Sequence, residues 1–151
     1  MADPGTRRGQ PASHPHGGGS PPGGLDPTSP TPSRIEALLE IGIDIDEMAD
    51  AIQVTPATIR NWVRREASPR RGAVRIVDDL RRVVVILADA EVDGPDVAQW
   101  LRSRQGGNLN NDRPLDVIHD DPVRVLAAAH GFAMNEEERQ AGETSLRVVP
   151  D

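Results

Sequence analysis

The chain has 151 residues, no cysteine, and 17 arginines with no lysine, against 24 carboxylates, for a formal charge of −7. The length suits one ordinary domain or two very small ones. The lack of cysteine excludes a disulfide framework, thiol catalysis and thiolate zinc sites. With only Trp62, Trp100 and Phe132 aromatic, the core has to be aliphatic.

Residues 1–32 hold seven Gly and eight Pro, with Leu25 the one large apolar residue after Met1. Such a segment buries too little surface to offset its chain entropy, and it is expected to be disordered. His14 and His16 lie in it without a metal-ligand pattern, and no metal or other cofactor is expected. No apolar run approaches the roughly 18 residues of a membrane span, and the N-terminus lacks the apolar stretch of a secretory signal. The expected location is the cytoplasm.

Helical periodicity begins at Ser33. Ser33 and Glu36 read as a capping box, and Ile35, Leu38 and Leu39 form the inward stripe, with Gly42 as the stop. Asp44 opens a second helix whose inward residues are Ile45, Met48, Ala49 and Ile52. Thr55 caps a third, with Pro56 at the first helical position, where a missing N–H costs nothing. Ile59, Trp62 and Val63 point inward, and Ala67-Ser68-Pro69 ends the helix.

A long fourth helix is expected over 71–90, its C-terminal half apolar on nearly all sides and covered by several neighbours, in a core and in a dimer interface. A fifth starts near Pro95, with Val97, Trp100 and Leu101 inward. A turn-rich loop follows, then two short helices opened by Pro114 and Pro122 and closed at Gly131. Residues 133–151 read as a mobile tail in which 146–149 could pair with a partner.

Residues 45–63 fit a helix-turn-helix. Ala49 is the small residue where two helices cross, and Ile52, Val54, Ile59 and Trp62 are the apolar pivots. Gln53 stands at the turn, where glycine is usual because φ is often positive. With Ile59, Trp62 and Val63 inward, 100° per residue turns Ala57, Arg60, Asn61 and Arg64 outward, with Thr58 and Arg65 on the flank. Arg60 and Asn61 suit guanine and adenine edges in a major groove. Thr55 and Thr58 suit a phosphate at the helix start. Arg64, Arg65, Arg70 and Arg71 suit phosphate neutralisation. Residues 60–82 carry eight arginines against Glu66, Asp78 and Asp79, a local balance of +5 in an acidic chain. Double-stranded DNA is therefore the expected partner.

Trp100-Leu101, Asn108-Leu109, Pro114-Leu115, Val117-Ile118 and Val125-Leu126 follow in order behind this motif. The combination resembles the C-terminal toxin-binding domain of the Xre/MbcA/ParS antitoxin family, over residues 34–132. That resemblance implies a dimeric antitoxin that occludes an NAD-consuming RES-domain toxin and represses its own operon. It also implies a toxin surface from helix 96–104, loop 106–113 and the final helix, with Trp100, Arg102, Arg104, Asn108, Leu109 and Arg113 as partner-binding residues. The family's two glycines after the loop leucine are replaced by Asn110 and Asn111, which also tolerate positive φ.

The expected architecture is all-α. A Pro/Gly-rich tail (1–32) precedes a helix-turn-helix domain (33–69). A long helix joins it to a small helical dimerisation and toxin-binding domain (70–132), and a tail (133–151) ends the chain. No catalytic constellation is present: residues 119–121, His-Asp-Asp, point in different directions on a helix. The alternative function is a stand-alone helix-turn-helix regulator, of phage or plasmid type, whose C-terminal domain only oligomerises.

Overall fold

A computed structural model describes residues 25–148, with side chains to residue 142. Among these described residues seven α-helices follow in order: α1 (Thr31–Glu40), α2 (Ile45–Ile52), α3 (Pro56–Val63), α4 (Arg71–Asp89), α5 (Gly94–Arg102), α6 (Pro114–Val117) and α7 (Pro122–Val148). Among the described residues there is no strand, only an isolated antiparallel bridge between Gln105 and Asp112. No described helix is long and apolar enough to cross a membrane.

Helix α4 is the spine. Ala73, Ile76, Val77, Leu80, Val83, Val84 and Leu87 are buried at helical spacing, and α1, α2, α5 and α7 all pack on it. Val85 and Ile86 stay half-exposed, so the expected burial of its C-terminal half on all sides is not met within one chain. The core is one cluster that includes Leu25, Met48 of α2, Trp62 of α3, Leu101 of α5 and Ala129 of α7. It joins the two segments expected as separate domains.

Three expectations at the ends of elements are corrected. Residues 1–24 lie outside the described residues, but 25–32 are ordered into the fold. Leu25 is 1% exposed, and α1 begins at Thr31 behind Pro30 instead of at Ser33. The Ser33–Glu36 capping box is therefore not formed. Burying one leucine contributes about 1.5–3 kcal/mol, which offsets part of the cost of ordering the Pro-rich segment around it. At the other end, Gly131 does not close the last helix, which runs on to Val148. One glycine inside a helix costs only about 1 kcal/mol, and the flanking Ala129, Phe132 and Ala133 contact the body. Of the expected pairing segment 146–149, residue 149 lies outside the described residues, as do the side chains of the others.

The first four helices are closed by residues of positive φ. Gly42 (φ 120) ends α1, with Gly42 N–H donating to Leu39 O and Ile43 N–H to Leu38 O, the paired arrangement that satisfies last-turn carbonyls. The same pattern ends α2 at Gln53 (φ 67), α3 at Arg65 (φ 63) and α4 at Glu91 (φ 66), all without glycine. Asp44 and Glu47 do form the capping box that opens α2.

Candidate nucleic-acid interface and partner surface

The start of α3 is fixed locally. Thr55 Oγ1 accepts from Thr58 N–H at 3.2 Å, and the two hydroxyls lie 2.9 Å apart. Ile59 (0% exposed) and Trp62 (4%) anchor the helix against α1 and α2, and Ala49 is buried where α2 meets α3. Ala57, Arg60, Asn61 and Arg64 are consequently exposed, on the face the helical arithmetic requires.

The eight arginines of 60–82 divide into two sets. Arg81 and Arg82 bind Asp78 at 2.9 and 3.1 Å, alongside Arg34 at 3.2 Å. Arg65 is drawn back toward α1: its guanidinium donates to Val63 O and Ser33 Oγ, and lies 3.7 Å from Glu36. Arg60, Arg64, Arg70, Arg71 and Arg75 are exposed and have no carboxylate partner among the described residues. Arg70 and Arg71 stand at the N-terminus of α4, which has no acidic residue in its first turn. Positive charge there opposes the helix dipole by about 0.3–1 kcal/mol per residue, a local cost that an approaching phosphate would reverse.

The second surface is made by α5, the loop to α6 and α7. The loop is held by a short 3-10 turn (Gly107–Leu109), by Gln105 N–H to Asp112 O at 3.1 Å, and by left-handed Asn110 and Asn111. Arg104, Asn108 and Arg113 are exposed. Arg104 donates to Asn111 O, Arg113 pairs with Asp116, and Asn108 O accepts from Arg124. Trp100, inward on α5 as its spacing requires although named among the partner-binding residues, and Leu109 are 6% and 0% exposed. They are large apolar groups under a short loop, and the core takes them: the Trp100 ring meets Phe132 at 6.1 Å and 50°. They shape the surface from beneath. Above them lies a shallow groove of about 350 Å³, bordered by Gly106, Gly107, Asn108, Gly131 and Asn135.

Arg102 also departs from expectation. It donates to both oxygens of Glu47 at 2.9 Å and to Gly42 O at 2.6 Å. The Arg102 hydrogen bonds hold the Glu47 carboxyl below the usual carboxylate range, with a further contribution from Asp44 N–H, and Glu47 in turn raises Arg102. Arg102 is thus a strut to α2 more than a free contact.

Sequence reasoning missed the part played by Glu47, which reads locally as a first-turn acid complementing the dipole of α2. It also missed Gly131 and Asn135 of the groove, because the last helix was expected to stop at Gly131. His119 bonds its neighbour Asp120 at 3.0 Å, and Asp121 Oδ1 accepts weakly from Arg124 N–H at 3.4 Å, as a helix cap would.

An all-helical protein with two short helices, α2 and α3, joined by a tight turn is the class that these features define. Within it, the chain is similar to the probable mycobacterial cidal antitoxin of Mycobacterium tuberculosis, at 29% identity over 99 residues, covering 65% of this chain and 83% of that protein. That distant likeness supports an antitoxin family. No family model matches the chain, and no solved structure does.

Proposed function

We propose that the protein is a cytoplasmic, DNA-binding antitoxin that neutralises a RES-domain toxin and represses its own operon as a homodimer. The observation that carries the DNA half is the α3 face. Arg60, Asn61 and Arg64 project from a helix whose opposite side is locked by Ile59 and Trp62, and none has a carboxylate partner among the described residues. Free arginines on a rigid helix behind a tight turn suit a major groove. Arg70 and Arg71, and less directly Arg65, suit the flanking phosphates.

The antitoxin half is supported by the likeness to a curated antitoxin and by the resemblance of the Trp-Leu, Asn-Leu and Pro-Leu order. The RES class of toxin rests on that resemblance alone. The toxin surface would be the exposed rim formed by Arg104, Asn108 and Arg113 together with the groove against α7. No residue acts as a catalyst in this reading.

Co-expression tests it directly. The full chain should co-purify with a RES-domain toxin encoded beside it and restore growth to cells expressing that toxin. Growth arrest that persists, with no complex recovered, overturns the antitoxin reading.

A further inference from the structure

A cleft of about 700 Å³ opens between the helix-turn-helix, the turn before α4 and the first turns of α4. None of Arg60, Asn61 and Arg64 lines it, although Thr55, Thr58 and Arg70, candidates for phosphate contact, do. Its floor is apolar: Trp62, Ala73 and Ile76 line it and are 4%, 8% and 2% exposed. Its rim is cationic and polar, with Arg70, Arg75 and Thr58. No carboxylate lines it, and neither arginine has a carboxylate partner among the described residues. The volume is that of a small-molecule site.

We propose that this cleft binds a small amphiphilic organic anion, a monocarboxylate with an aliphatic or aromatic body. The chemistry follows from the lining. An inorganic anion would satisfy the arginines and leave the apolar floor wet. A neutral apolar molecule would fill the floor and leave Arg70 unmatched, with only the buried Asp79 near Arg75. Only a ligand with both parts uses the whole site, with the carboxylate taking charge-assisted hydrogen bonds from Arg75 and Arg70 and the body covering Trp62 and Ile76. The cleft's wall is the inner side of α3 and its apolar residues belong to the core, so the site is built whether or not α3 reads DNA.

Calorimetric titration of the full chain with octanoate, octylamine and inorganic phosphate tests the proposal. Octanoate should bind at one site with Kd below about 1 mM, with a change in tryptophan emission. Octylamine should not bind, and phosphate should bind at least about tenfold more weakly. Arg75→Gln should weaken octanoate about tenfold, and Ala73→Phe should abolish its binding by filling the floor. Circular dichroism establishes that each variant is folded, and if Ala73→Phe is not, Arg75→Gln decides. The proposal fails if octanoate does not bind, if octylamine binds as well, if phosphate binds as tightly, or if folded variants bind like the wild type.

Discussion

Arg102 of α5 and Glu47 of α2 stand 55 residues apart in sequence and meet through two parallel hydrogen bonds of 2.9 Å. Each side chain is roughly two-thirds covered. Glu47 is held twice, since it also accepts from Asp44 N–H at 2.9 Å at the start of α2. One carboxylate therefore starts α2, the first helix of the helix-turn-helix pair, and fastens it to α5.

Arg102→Ala should destabilise the fold by about 1 kcal/mol, and Glu47→Gln by a similar amount. A double-mutant cycle by urea unfolding should return a coupling that shrinks the sum of the two. The sign with pH is fixed. Because the folded Glu47 value is depressed, its contribution is fully present above the ordinary glutamate value near about 4.3. It is lost as pH falls through the lower folded value. Glu47→Gln should flatten that acid limb of the stability curve.

On α3, Arg60→Ala and Asn61→Ala should each reduce preference for the operator over random DNA by about 1–3 kcal/mol. Arg64→Ala should weaken all sequences alike and lower the salt slope by about one. Gel-shift titrations at several salt concentrations separate these outcomes. Equal affinity for the wild type and all three variants would remove α3 from the interface.

Leu25→Ala should cost about 2–5 kcal/mol, the range for a fully buried leucine, despite its place in a Pro/Gly-rich segment. Gln53→Gly should act oppositely. It relieves a left-handed non-glycine residue, worth about 1–2 kcal/mol, against about 0.5–1 kcal/mol of added chain entropy. Thermal melts of the two variants should move in opposite directions.

Asp79 lies 7% exposed in α4, and burial pushes its carboxyl above the usual range despite Arg82 and Arg75 nearby. A raised folded value means that ionising Asp79 disfavours folding as pH rises through the ordinary aspartate value. Asp79→Asn should therefore raise stability at pH 7 and leave it nearly unchanged at pH 3, as measured by chemical denaturation.

Local physics made much of this legible. Thr55-Pro56 starts α3, Ile59 and Trp62 fix its inner face, and the outward set follows from 100° per residue. Asn110 and Asn111 adopt the positive φ that their side chains tolerate. The misses share one cause, which is packing across long separations. Nothing near Leu25 reveals the core that receives it. No spacing rule links Arg102 to Glu47, and Trp100 reads alike whether it faces a partner or Phe132. Gly131 looked like a stop because periodicity does not reveal that α7 keeps contact with the body beyond it.

The unbroken core has a consequence for how the molecule comes apart. Met48, Leu80, Leu101 and Ala129 belong to one cluster, so neither the α2–α3 pair nor the α5–α7 half keeps its apolar face covered when the other is removed. Heating should melt both in a single cooperative step. A fragment ending before α4 would expose the inner faces of α1 and α2, so the helix-turn-helix pair is not a detachable cassette that could be moved onto another protein.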